Sequence, residues 1–141
     1  MILLDFGGVP WLGVIVATVA SVVIGMLWYA RFLFGNAWMA ALGRTEAEMT
    51  ELQKSMGPGY VLAIVGSFLS SLVMAMVLGA LGEPGVGDAI ITAIVLSIAF
   101  QVAMMATGNV FAGAKPRLTI INGLNAVVIL VAQAVVITVL R

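Results

Sequence analysis

Residues 60–81 have the sequence YVLAIVGSFLSSLVMAMVLGAL, which contains no Asp, Glu, Lys or Arg. An α-helix rises about 1.5 Å per residue, so a stretch of this length crosses the roughly 30 Å hydrocarbon core of a bilayer. Three further stretches, residues 11–31, 88–111 and 118–140, are equally apolar and carry charge only at their ends. We therefore predict an all-α membrane protein with four transmembrane helices in an antiparallel bundle.

The overall composition supports the same class of protein. Apolar residues make up 63% of the chain, charged residues 9%, and the mean hydropathy is +1.23. Soluble domains contain about 45–50% apolar and about 25% charged residues. A chain of 141 residues leaves much of its surface exposed, and here that surface must contact lipid. We predict one membrane domain, residues 1–141, with the bilayer as its main partner.

Several classes of function are excluded by the residues that the chain lacks. Six acidic and six basic residues balance, so the chain has no basic surface typical of nucleic-acid binding. It contains neither Cys nor His, which removes thiolate and imidazole chemistry and the commonest metal ligands. We predict no enzyme, no cofactor and no metal site. The only candidate acids lie near the membrane surfaces and are most simply solvated charges: Glu46, Glu48, Glu51, Glu83 and Asp88.

The connection between the first two spans is the only long one. Within it, Thr45-Glu46-Ala47-Glu48 is a capping-box pattern, which predicts a helix over residues 46–56. Met49, Leu52 and Met56 would share one apolar face of that helix. This face could lie on the bilayer surface, or the segment could be a solvated connector packed on the helix ends. The other two connections are short, which predicts antiparallel neighbours.

Basic residues are distributed unevenly between the two sides of the predicted bundle. The first and third connections carry Arg31, Arg44, Lys54, Lys115 and Arg117, whereas the opposite side carries only Arg141. The positive-inside rule therefore predicts that both connections are cytoplasmic and both termini lie outside. Aromatic residues at the predicted interfaces are expected to anchor the helices, with stacking on a substrate as the alternative: Trp11, Trp28, Tyr29 and Trp38.

Small residues recur at every fourth position in the first two spans, and such ridges let helix backbones approach closely. They predict a helix–helix contact, either between these two helices or with another copy of the chain. The ridge of the first span is Gly13, Ala17, Ser21 and Gly25, and that of the second is Ala63, Ser67, Ser71, Ala75 and Gly79.

Uncharged amides form the remaining polar feature of the predicted spans. They are Gln101, Asn109, Asn122, Asn125 and Gln133. An unpaired amide in hydrocarbon costs several kcal/mol, so these side chains should point inward and pair. The last three share one helix face, and antiparallel packing would set Gln101 about one turn from Asn125 and Gln133. The network could hold helices together, or it could line a path or pocket for a small neutral or hydrophobic ligand.

Residues 27–39 have the sequence LWYARFLFGNAWM, and Leu42-Gly43 follow. This stretch resembles the signature of the small bacterial membrane proteins grouped as domain of unknown function 1761, where a Trp-Tyr pair precedes Leu-Phe-Gly and a further Trp. Residues 109–118 and Ile121-Asn122 are similar to the family's second half. The family's usual proline is absent, because Ala30-Arg31-Phe32 stands in its place. The resemblance implies a four-helix protein of the bacterial inner membrane and supplies no substrate.

Two functions are consistent with these features. The first is a non-enzymatic structural or accessory subunit that packs into a homo-oligomer or against other membrane subunits, as the small-residue ridges suggest. The second is a small dimeric transporter or channel for a neutral or hydrophobic solute. No Asp, Glu, Lys or Arg lies deeper in the spans than their ends, which disfavours transport of ions or protons.

Overall fold

The computed structural model describes residues 5–141 and confirms four helices long and apolar enough to cross a membrane. The first is α1 (Trp11–Trp28), and the connection after it contains α2 (Gly35–Leu42) and α3 (Glu46–Gln53). The second span is α4 (Gly57–Ala80). The third, Val86–Phe111, consists of α5 (Val86–Leu96), a π-helical segment (Ser97–Val102) and α6 (Ala103–Phe111), and the fourth is α7 (Pro116–Val139).

Prolines mark the starts of two spans. Pro58 lies in the first turn of α4 and Pro116 begins α7, positions where the missing N–H has no intrahelical partner to lose. The second span therefore starts three residues earlier than the predicted residue 60. At the other end of the first span, the helix stops at Trp28, because the chain then folds into a turn in which Phe34 N–H donates to the Trp28 carbonyl at 3.0 Å.

α7 is the helix on which the others pack. At the end of α1, the Trp28 side chain donates a hydrogen bond to the Ile121 carbonyl near the start of α7. At the start of α1, a Cβ built on Gly13 would lie 3.3 Å from the Ile137 Cα near the end of α7, so the two helices run in opposite directions. The third span also runs against α7, since Asn109 bonds to Thr119 on the far side of a short turn. α4 packs on α1 and α7, while α5 and the π-helical segment pack on α7.

The hydrophobic core occupies the half of the bundle that contains the start of α1 and the end of α7. Its fully buried members include Val14, Leu78 and Ile137. Fewer residues are buried towards the other end, where α4 has no buried residue before Ser71 and α6 has none at all. Most residues in that half of α4 are exposed.

The π-helical segment lies where the third span meets α7. Gly123 of α7 faces Val102, and a Cβ built on Gly123 would lie 3.4 Å from the Val102 Cγ1 atom. The segment therefore packs against α7 at this glycine. Such π-bulges carry one extra residue and often occur at functional sites. Gln101 is the fifth residue of this segment.

Two short helices cover the end of the bundle after α1. The Thr45 hydroxyl accepts a hydrogen bond from the Glu48 N–H at 3.2 Å, so α3 begins with the cap that the sequence predicts. Met49 is only 5% exposed, which shows that α3 packs its apolar face on the protein. The preceding helix α2 was not predicted, and it ends at Gly43 in the left-handed conformation.

The two small-residue ridges have different surroundings. On α1, Gly13, Ala17 and Ser21 are buried, and Gly25 is half-buried. On α4, only Ser71 and Ala75 are buried, whereas the end members Ala63 and Gly79 are exposed. Four residues advance a helix by about 40° more than one full turn, so a ridge this long winds around the helix and cannot face one neighbour throughout.

Candidate functional site

The end of α1 is tied to α7 by three hydrogen bonds. The Trp28 indole N–H donates to the Ile121 carbonyl at 3.1 Å, and the Tyr29 hydroxyl donates to the Asn122 Oδ1 atom at 2.7 Å. The Asn125 amide donates more weakly to the Tyr29 oxygen, at 3.5 Å. One predicted interface anchor, Tyr29, is therefore the partner of two predicted amides, while a second, Trp28, bonds to the backbone of α7.

Tyr29 follows the last residue of the first span and remains a neutral donor. Burial raises the pKa of its hydroxyl above the ordinary value, and the hydrogen bond with Asn125 lowers it by less. Its ring lies 4.9 Å from that of Trp38, centroid to centroid, at an interplanar angle of 57°. The third predicted anchor, Trp38, is thus held by a ring contact, while Trp11 at the far end of α1 is 44% exposed.

Gln133 joins three helices in the buried interior. Its Nε2 atom donates to the Ser21 hydroxyl on α1 at 2.9 Å and to the Ser70 hydroxyl on α4 at 2.8 Å. The Gln133 side chain is fully buried, and its Oε1 atom accepts no hydrogen bond from residues 5–141. The contact of α1, α4 and α7 is therefore specified by one amide, in agreement with a packing role.

The predicted amide set is divided by the structure. Asn109 bonds to the Thr119 hydroxyl at 2.8 Å, Asn122 and Asn125 bond to Tyr29, and Gln133 bonds to serines. Gln101, which we expect about one turn from Asn125 and Gln133, lines a groove between α4 and the third span. It is partly exposed there.

We call this surface the Gln101 groove and define it by Ser70, Val73, Val77, Phe100, Gln101 and Leu130. Its volume is about 390 Å³. Most of its lining is apolar and much of it is open, with Phe100 72% and Val73 54% exposed. Ser70 connects the groove to the buried Gln133, because its hydroxyl accepts a hydrogen bond from the Gln133 amide. Ser70 was missed in the sequence because it falls outside the four-residue ridge.

This arrangement brings together amides, hydroxyls and aromatic rings, without a buried acid or base. Among residues 5–141, no group of three or more His, Cys, Asp or Glu side chains could hold a metal ion. The charged side chains belong to the connections and the helix ends. These residues can form hydrogen bonds and apolar contacts with a ligand or a partner.

A protein family described as "Protein of unknown function (DUF1761)" matches residues 12–138 of the chain. The match covers the four spans except for one residue at the start of the first and one at the end of the fourth, and it includes both short helices of the first connection. No curated protein and no solved structure matches the chain.

Proposed function

The chain belongs to the DUF1761 family, and we propose that it is a non-enzymatic membrane protein that assembles with a second copy of itself through the Gln101 groove. One observation carries the proposal. Gln101 is the one predicted amide that makes no hydrogen bond within residues 5–141 and lines an exposed groove, while the other four bond to neighbouring side chains. An amide without a partner in hydrocarbon costs about 4–8 kcal/mol, so a partner from outside the chain would stabilise it.

A second copy is the partner that fits this side chain best. An amide carries both a donor and an acceptor, so two Gln101 side chains related by a twofold axis can form two N–H···O bonds with each other. A carboxylate or an ammonium group lacks this self-complementarity. The interface of a twofold dimer uses the same surface on both subunits, as the proposal requires.

The open half of α4 extends the groove in a form suited to close helix packing. Gly59, Ala63 and Gly66 are exposed, and they continue the face on which Ser70 and Val73 lie, at alternating spacings of four and three residues. Cβ atoms built on Gly59 and Gly66 would meet nothing within 4 Å. Small residues let two membrane helices approach, because lipid provides no hydrophobic force to drive them together.

The non-enzymatic role and the orientation belong to the same proposal. A chain without His or Cys has few groups for acid–base or nucleophilic catalysis. Lys115 donates to the Ala40 carbonyl at 3.5 Å, which supports a common side for the first and third connections with their five basic residues. We place that side in the cytoplasm of a bacterial inner membrane, with both termini outside.

Replacing the amide should weaken the dimer. Gln101→Leu keeps the approximate size of the side chain and removes its hydrogen bonds. Interhelical bonds in membranes contribute about 0.6–2 kcal/mol, so the dissociation constant of the dimer should rise about 3- to 30-fold. Dilution in lipid vesicles with single-molecule subunit counting measures this constant.

Thr107→Val is the matched control, because Thr107 is an exposed polar residue of the same span whose hydroxyl bonds within its own helix, to the Ala103 carbonyl at 2.9 Å. This variant should dimerise like the wild type. A wild-type chain that is monomeric at every dilution and carries no co-purifying subunit would contradict the proposal, and it would leave the groove to the alternative occupant, a neutral or hydrophobic solute.

A further inference from the structure

A small cavity lies where the end of α1 meets the first connection. It has a volume of about 90 Å³ and is lined by residues from the turn after α1 and from α2 and α3. We call it the collar pocket and define it by Tyr29, Arg31, Trp38, Glu46 and Met49. Tyr29 and Trp38 provide its aromatic side, and the buried Met49 closes it towards the protein.

The exposed side of the collar pocket carries one charge of each sign. Arg31 and Glu46 form an ion pair there, and their side chains are 65% and 64% exposed. Exposed ion pairs contribute little to stability, so a ligand can separate this pair at small cost. A ligand with an anionic and a cationic group satisfies both residues after separation, whereas a ligand with a single charge leaves one of them unpaired.

From this pairing of charges and rings, we propose that the collar pocket binds the headgroup of a phospholipid that carries a phosphate and a primary ammonium group, as phosphatidylethanolamine does. The phosphate accepts two N–H bonds from the planar guanidinium of Arg31. The ammonium donates to the Glu46 carboxylate and lies against the Trp38 ring, which attracts cations. A trimethylated amine is bulkier and cannot donate to Glu46.

The surroundings favour a lipid over a soluble zwitterion. Arg31 lies three residues after the end of the first span, and Trp28 at that end is a residue typical of the headgroup region. Phe32 is 74% and Leu33 is 47% exposed, directly beside Arg31 in the chain. These apolar side chains would contact the acyl chains of a lipid whose headgroup occupies the pocket.

Native mass spectrometry of the full chain released from nanodiscs tests the proposal. The nanodiscs contain equal amounts of phosphatidylethanolamine, phosphatidylcholine and phosphatidylglycerol. The wild type should retain one phosphatidylethanolamine in preference to both other lipids. Arg31→Gln should lower this retention about tenfold, as expected for the loss of a charge-assisted bond to phosphate.

Glu46→Gln gives the sharper result, because it removes the partner of the ammonium and leaves Arg31 free for an anion. Its preference should shift from phosphatidylethanolamine to phosphatidylglycerol, and this gain of binding also shows that the variant is folded. Arg44→Gln is the matched control. Arg44 is an exposed basic residue of the same connection that does not line the pocket, so its loss should leave retention unchanged.

Equal retention of the three lipids by the wild type would overturn the proposal, as would unchanged retention in Arg31→Gln. Soluble phosphoethanolamine, titrated into the chain in detergent, should bind much more weakly than the lipid. Equally tight binding would overturn the assignment to a lipid. These results do not depend on dimer formation, because the collar pocket and the Gln101 groove share no residue.

Discussion

Gln101 and Gln133 are the same side chain in neighbouring spans, but their surroundings differ. Gln133 is fully buried and donates to hydroxyls on two helices, whereas Gln101 is partly exposed at a groove. The bonds of Gln133 are made within one chain and help to hold three helices in place. The amide of Gln101 makes no hydrogen bond within residues 5–141 and so favours a partner from outside, which is why the proposed dimer depends on this residue.

Tyr29 offers the residue-scale test of the internal network. Tyr29→Phe removes the hydroxyl that donates to Asn122 and accepts from Asn125, and it leaves the ring contact with Trp38 in place. We expect the free energy of unfolding to fall by about 1 kcal/mol, the usual net contribution of such a bond. Titration with a denaturing detergent in mixed micelles measures it.

The matched control is Tyr60→Phe, since Tyr60 is 58% exposed near the start of α4 and its hydroxyl makes no hydrogen bond among residues 5–141. Its free energy of unfolding should equal that of the wild type. Equal unfolding of both variants and the wild type would show that the bonds to Asn122 and Asn125 do not stabilise the fold.

The amides themselves are visible in the sequence, but their partners are not. Helix periodicity correctly places Asn122, Asn125 and Gln133 on related faces of one helix. It does not determine which neighbour those faces meet, because that depends on how the spans are arranged around α7. Antiparallel packing predicts Asn125 and Gln133 near Gln101 of the third span, but it does not predict the bonds that join the amides of α7 to Tyr29, Ser21 and Ser70.

At the scale of elements, the junction between α1 and α2 depends on a close backbone approach at Gly35. A Cβ built there would lie 2.5 Å from the Tyr29 carbonyl oxygen and 2.9 Å from the Ala30 carbonyl carbon. Both are backbone atoms, which cannot move aside as a flexible side chain can. Gly35 is thus needed for the chain to turn back and place α2 over the end of the bundle.

Gly35→Ala should therefore destabilise the protein by about 2 kcal/mol, within the usual range for an overpacked site, and it should disturb the ring contact of Trp38 with Tyr29. Thermal unfolding and tryptophan fluorescence report the two effects. Gly25→Ala is the control, because a Cβ built on Gly25 would meet nothing within 4 Å. Equal melting temperatures for the two variants would show that the close approach at Gly35 does not affect stability.

Elements differ in how well the sequence predicts them. Long apolar stretches and the Thr45 cap are local signals, and both are confirmed. Helix α2 has no such cap, since Phe34 precedes it without a side-chain bond, and its position follows from the turn at Gly35. The π-helical segment was not predicted, because the sequence of residues 97–102 carries no capping or proline signal that distinguishes it from the α-helix on either side.

At the scale of the whole molecule, the hydrophobic core lies at one end of the bundle, and α4 and the third span are exposed towards the other end. The core lies around Val14, Leu78 and Ile137, and the far halves of α4 and the third span contain no buried residue. Lipid tolerates exposed apolar side chains, but a polar side chain next to such a surface needs a hydrogen-bond partner. The central claim is therefore that Gln101 meets its counterpart in a second copy.

Thiol crosslinking in the native membrane tests that claim most directly, because the chain contains no cysteine and any introduced thiol is unique. Phe100→Cys places a thiol in the Gln101 groove, and Ile15→Cys places one on α1, where Ile15 is 55% exposed. A short bifunctional maleimide should convert the Phe100→Cys chain to a covalent dimer and leave the Ile15→Cys chain monomeric. A Phe100→Cys chain that crosslinks no more than Ile15→Cys would contradict the account.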